Sequence, residues 1–207
     1  MNTIELPPPV PDESESLRQY RKLLEKREAE AAKAARSLPD SLPLVLEIGC
    51  GHGHFLTSVA EKDPSRYYVG IDVAQGRIQR ARRKTTLRDI PNLEFHLADA
   101  RLFLSFLKPK QCSQIFVLFP DPFPKEKQKK HRLMQGEFLQ TCHRILNTDG
   151  YLFFRTDVFD YFQEVLAWME QNRDLFEPVS SEIWPAAETT VFENRAQKVH
   201  SQVFRRK

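Results

Sequence analysis

The chain has 207 residues, a formal net charge of +3, 41% hydrophobic and 29% charged side chains. That length suits one full-sized domain with an appendage, and no run approaches the roughly 18 apolar residues that a membrane-spanning helix needs, which excludes an integral membrane protein of that kind. Cys50, Cys112 and Cys142 have neither the spacing of a disulfide framework nor that of a CxxC metal site, so no metal is expected and a reducing compartment is.

The first segment, MNTIELPPPVPDESES, is acidic and proline-rich with no basic stretch leading into an apolar one. It does not read as a secretory signal, and the cytoplasm is the predicted location. Pro7, Pro8 and Pro9 forbid helix there, so residues 1–14 are expected to be disordered or extended. Residues 16–37 are rich in Ala, Leu, Glu, Lys and Arg, the strong helix formers, with Ser14 or Ser16 placed to cap a helix. LPDSLP then ends it. The division is an N-terminal extension over 1–40 and a single domain over 41–207.

Beyond Pro43, short apolar runs alternate with amphipathic stretches. LVLEIG, YYVGID, LEFHLA, QIFVLF and GYLFFRT read as strands, and helices are predicted over 55–62, 75–88, 100–107, 134–146 and 159–171. Strict alternation with nearly continuously apolar strands argues for a parallel sheet covered on both faces, a doubly wound α/β fold. In such folds ligands sit beyond the carboxyl ends of the strands.

Residues at those ends carry the chemistry. LEIGCGHGHF follows the first strand, with Gly49, Gly51 and Gly53 alternating where a backbone must turn tightly against a ligand and enter a helix. Asp72 ends the second strand, where it can accept both hydroxyls of a ribose, and Asp99 ends the third, where adenine would be read. Each also fits the simpler role of a helix cap. Glu47 lies inside the first strand, a costly place for a carboxylate without a partner. A cationic ligand such as the methionine end of S-adenosyl-L-methionine would supply one, whereas the pyrophosphate of NAD would be repelled. After the fourth strand comes Pro120-Asp121-Pro122-Phe123-Pro124, whose prolines hold Asp121 and Phe123 with little backbone freedom. Phe123 offers a stacking face and residues 125–132 offer phosphate contacts, with five basic side chains against one acid. Residues 76–88 carry six more basic side chains, which suit either a polyanion or an exposed helix face. His52 and His54 have no partner at metal spacing, and the aromatics of VFDYFQEVLAWM fall at core spacing.

With these residues in view, the sequence resembles the tRNA (guanine-N7-)-methyltransferase family of the TrmB type. The likeness runs through LEIGCGHGHF, YVGID, LADA, LFPDPFPKEKQKKHRL, FRTD and TVFE, most of residues 44–193. The PDP-aromatic-P-K segment is the most specific part. The resemblance implies a Rossmann-like class I methyltransferase, with a mostly parallel seven-stranded sheet, helices on both faces and a preceding helix. It implies S-adenosyl-L-methionine as cofactor and a guanine in the tRNA variable loop as acceptor. Carried over by motif position, Glu47, Gly49, Gly51, Asp72, Asp99 and Asp121 contact the cofactor, and Asp121 is catalytic. Lys125, Asp157, Thr190, Val191, Phe192 and Glu193 bind substrate. The sequence departs from the pattern in having Phe123 for tryptophan, a thinner basic run, TDVFDY without the family's Trp or Asn, and a poorly matched C-terminus. Monomer and homodimer are both compatible. Methylation of another RNA or a small molecule, and non-catalytic RNA binding, stay open as alternatives; NAD-dependent oxidoreduction is disfavoured by Glu47.

Overall fold

A computed structural model describes residues 15–185 and 198–207. The chain opens with α1 (Glu15–Arg36) and then alternates: β1 (Leu44–Ile48), α2 (His54–Lys62), β2 (Tyr67–Asp72), α3 (Gln75–Arg88), β3 (Leu93–Leu97), α4 (Ala100–Ser105) and β4 (Cys112–Leu118). A 3-10 segment, Glu126–His131, precedes α5 (Gly136–Ile145), β5 (Leu146–Thr156), α6 (Phe159–Gln171), β6 (Phe176–Val179) and β7 (His200–Arg206). The seven strands form one sheet in the order β3-β2-β1-β4-β5-β7-β6. All pairs are parallel except those of β7, which runs antiparallel to both β5 and β6.

Both faces of the sheet are covered because the central strands are largely apolar; β1 is buried throughout. Leu44, Leu46 and Ile48 point to one side and pack with Ala31 and Ala35 of α1, Phe103 and Leu104 of α4, Phe138 of α5 and Tyr161 of α6. Val45, on the other side, packs with Phe55 and Leu56 of α2 and Ile78 and Ala81 of α3. Only the end of α1 is tied down in this way; Leu17, Tyr20, Leu23 and Leu24 near its start are exposed. The strand order reverses direction between β1 and β4, so the crevice at the topological switch point opens above their carboxyl ends.

The expected alternation holds through α6, with strand and helix ends shifted by a few residues. The helix predicted over 134–146 begins at Gly136, and Leu146 already belongs to β5. That strand starts early because Leu146 pairs with Cys112 before an irregularity brings Tyr151 opposite Gln114. Periodicity does not locate β6 and β7: FEPV contains a proline, and HSQVFRR buries only Val203 and Phe204. Phe159, expected in the core, is 54% exposed beside the His200 ring. The expected disorder of residues 1–14 lies outside the described residues, as does Ser14.

Candidate active site

The turn after β1 is built by backbone bonds to β2: the amides of Gly49 and Cys50 both donate to the Ile71 carbonyl, at 2.8 and 3.0 Å. Gly49, Gly51 and Gly53 all have positive φ, the region that glycine alone adopts at little cost. Their surroundings separate them. A Cβ on Gly49 or Gly51 would meet open space, whereas one on Gly53 would run into the Phe95 ring and Ala81. The first two glycines therefore leave room for a ligand against the backbone, and the third lets α2 close onto the sheet.

Asp72 is buried at the end of β2, where one oxygen accepts the Gly51 amide at 3.0 Å and the other the Ala74 amide at 2.8 Å. The carboxylate thus fixes the glycine turn, with Arg77 3.6 Å away. Glu47 is also buried. Its carboxyl accepts the Leu56 amide in the first turn of α2, a partner the sequence did not reveal, yet Oε2 has none among the described residues. Burial raises its pKa to about 8, with the Asp72 charge adding to the effect and the Leu56 bond and Lys84 opposing it. An unsatisfied buried acceptor beside open space at Gly49 and Gly51 fits a small ligand with a cationic end.

Asp99 is exposed at the end of β3 and caps α4, accepting the Leu102 amide at 3.1 Å. The helix-cap role is thus filled here, through one carboxylate oxygen. The carboxyl ends of β2 and β3 are joined by Ala98, whose amide donates to the Asp72 carbonyl at 3.1 Å.

On the other side of the switch point, Val117 is in register with Ile48 and Leu118 with Arg155. The loops after β1, β4 and β5 therefore rise side by side. Phe119 and Phe123 sit at φ +50° and +42°, a conformation that bulky side chains avoid. Between them Asp121 is exposed. The Phe119 amide donates to the Arg155 carbonyl at 2.8 Å, and Arg132 Nε donates to the Pro122 carbonyl at 2.7 Å. Asp157 stands exposed at the junction of β5 and α6.

Lys125 is exposed just ahead of the 3-10 segment. Its neighbour Lys129 is not available in the same way, since Glu126, Asp160 and Glu164 hold its ammonium at 3.0, 3.2 and 3.4 Å and raise its pKa, the Glu126 contact most of all. The α3 cations are largely engaged by the protein itself: Arg82 donates to the Phe95 carbonyl at 2.7 Å, Lys84 to the His52 carbonyl at 3.0 Å, and Arg88 grips Glu61 through both oxygens. His52 and His54 lie against Arg80 and Lys84. Of the site residues taken from the sequence, Glu47, Gly49, Gly51 and Asp72 form one contiguous group; Asp99, Asp121 together with Lys125, and Asp157 stand at the same edge of the sheet on three loops. Thr190, Val191, Phe192 and Glu193 lie outside the described residues. Sequence reasoning counts Arg132 among the surface cations, but it is wholly buried; its only signal is a place at the apolar end of the basic run.

A sheet of this order, with β7 antiparallel and a glycine turn at the switch point, defines the class I methyltransferase fold. Precorrin-6y C5,15-methyltransferase from Geobacter metallireducens shares that fold, with a TM-score of 0.54 and 14% identity over 87% of this chain and 88% of that one. Residues 41–206 match the family model Methyltransf_4, described as "Putative methyltransferase". The chain belongs to that methyltransferase family, as its TrmB-type motifs implied. It is similar to the tRNA (guanine-N(7)-)-methyltransferase of Rubrobacter xylanophilus, 32% identical over 64% of this chain and 60% of that protein. The tRNA (guanine-N(7)-)-methyltransferase of Streptococcus mutans is 29% identical over 80% of this chain and 76% of its own length. The chain thus spans about three fifths of the first relative and three quarters of the second.

Proposed function

We propose that the protein transfers a methyl group from S-adenosyl-L-methionine to N7 of a guanine in the variable loop of tRNA. The observation that carries the reading is the pairing, across one switch point, of a glycine turn backed by the unsatisfied Glu47 with a clamped loop that presents Asp121. The family match supports methyl transfer, and the names of the relatives support tRNA guanine N7 as the acceptor.

The cofactor supplies an electrophilic methyl on a sulfonium. Glu47 and the open faces of Gly49 and Gly51 receive its amino-acid end, Asp72 its ribose and Asp99 its adenine. Guanine N7 has a lone pair and no proton to lose, so the chain needs no strong general base. Alignment is what it must provide, and holding two reactants in line is worth roughly 7 kcal/mol or more in favourable cases. As positive charge moves onto the purine, the fixed carboxylate of Asp121 favours the displacement. Asp157 accepts hydrogens from the guanine edge, which adenine does not present in the same pattern. Lys125 meets the phosphate backbone. The cytoplasm, where tRNA is found, is the proposed place of action; among the described residues no helix is long and apolar enough to cross a membrane.

Incubation with methyl-labelled S-adenosyl-L-methionine and unmodified tRNA, followed by borohydride reduction and aniline cleavage, tests the reading. A single new cleavage at a variable-loop guanine is the expected result. Label in another nucleotide, or none in tRNA, refutes it.

A further inference from the structure

Arg132 is the bulkiest of the fully buried side chains. A guanidinium stays charged in a protein, so its burial has to be matched by acceptors. All three nitrogens find one. Nε donates to the Pro122 carbonyl at 2.7 Å, Nη1 to Glu164 at 2.5 Å and Nη2 to Asp160 at 3.0 Å. The guanidinium carbon lies 4.7 Å from the centre of the Tyr161 ring, whose hydroxyl accepts the Met134 amide at 2.9 Å.

The placement of these partners matters more than their number. Pro122 stands between Asp121 and Phe123, and Phe123 is held at φ +42°. Asp160 and Glu164 belong to α6, whose first residue follows Asp157 by two positions. One rigid fork therefore joins the loop that carries Asp121 to the helix that begins beside Asp157. We propose that Arg132 is a positioning residue, which sets Asp121 relative to Asp157 so that the methyl acceptor is held in line with the donor. It acts through the Pro122 carbonyl and α6. The kinetic half of this inference rests on the proposed tRNA methylation; the structural half does not. Lysine is no substitute, because a single ammonium lacks the planar fork that reaches a carbonyl and two carboxylates together.

The test uses the full chain with Arg132→Lys, Arg132→Met and the double variant Asp160→Asn, Glu164→Gln, which leaves the arginine in place. Three quantities are measured: the initial rate of tryptic cleavage after Lys125, calorimetric binding of S-adenosylhomocysteine, and steady-state methylation of tRNA. In Arg132→Lys the cleavage rate should rise at least fivefold and kcat fall at least tenfold. Cofactor-product binding should stay within twofold and KM for tRNA within threefold, a split that general destabilisation would not give. The double variant also releases Lys129, so it is read against Lys129→Met; it should move cleavage and kcat in the same direction by a smaller factor and further than that control, and it decides the matter if the arginine variants do not fold. Unchanged cleavage in every folded variant overturns the inference, and so does a loosened loop with wild-type kcat. If the wild type methylates no tRNA, the proposed function fails by itself, while cleavage after Lys125 still decides whether Arg132 holds the loop.

Discussion

Glu47 carries a proton at neutral pH in the ligand-free protein because its carboxyl titrates at about 8 instead of the ordinary 4.5, chiefly through desolvation. The unfolded chain ionises this group at the lower value, so its contribution to stability is complete below pH 4.5 and is lost as the pH rises through about 8. A cation bound at the free oxygen reverses the preference and expels the proton. Titration calorimetry of S-adenosyl-L-methionine at pH 7, in buffers of different ionisation heat, should therefore show release of close to one proton, absent in Glu47→Gln. No dependence on buffer in the wild type would separate Glu47 from the cofactor. Asp121 lies at the opposite pole of the site, exposed on its loop. Asp121→Ala should lower kcat by about 10²–10³, the range for removing one preorganised electrostatic group, with an unchanged circular dichroism spectrum. Turnover near wild type would remove it from the catalytic role.

Within the glycine turn, two substitutions of the same kind should fail for different reasons. Gly53→Ala drives a methyl into Phe95 and should cost about 1–3 kcal/mol, as overpacking does, read as a lower urea midpoint. Gly51→Ala meets no protein atom; its backbone strain is about 1–2 kcal/mol, and its main effect should be at least a tenfold loss of cofactor affinity. Equal destabilisation with unchanged affinity would mean that Gly51 does not line the site. From sequence, both glycines look alike, since the packing of Phe95, two strands away in the sheet, and of Ala81 in α3 is what distinguishes them. The same limit applies elsewhere. β1, β2, β4 and β5 were legible as apolar runs and β3 as an alternating one, while β6 is short and carries a proline, β7 buries only Val203 and Phe204, and the two are joined by antiparallel pairing that no local pattern specifies. Glu47 was legible as a misplaced charge, but its Leu56 partner was not. Lys129 and Arg132 read as surface cations because Asp160 and Glu164, which engage both, come from α6, some 30 positions later in the chain.

Across the whole molecule, the small net charge hides an uneven surface, and the carboxylates that engage Lys129 and Arg132 leave Lys125, Lys127 and Lys130 as the lysines of the basic run open to a polyanion. Replacing these three with alanine should weaken tRNA binding and reduce the slope of log K against log salt by about 2–3, since each phosphate neutralised by a lysine adds roughly 0.7–0.9 to that slope. An unchanged slope would place the RNA elsewhere. The sheet order also carries a temporal consequence. β7 comes last in the chain yet lies inside the sheet, between β5 and β6. As the chain leaves the ribosome, β1 to β4 can assemble the donor half while the outer edge of β5 is still bare, and an open edge of that kind invites pairing with other chains.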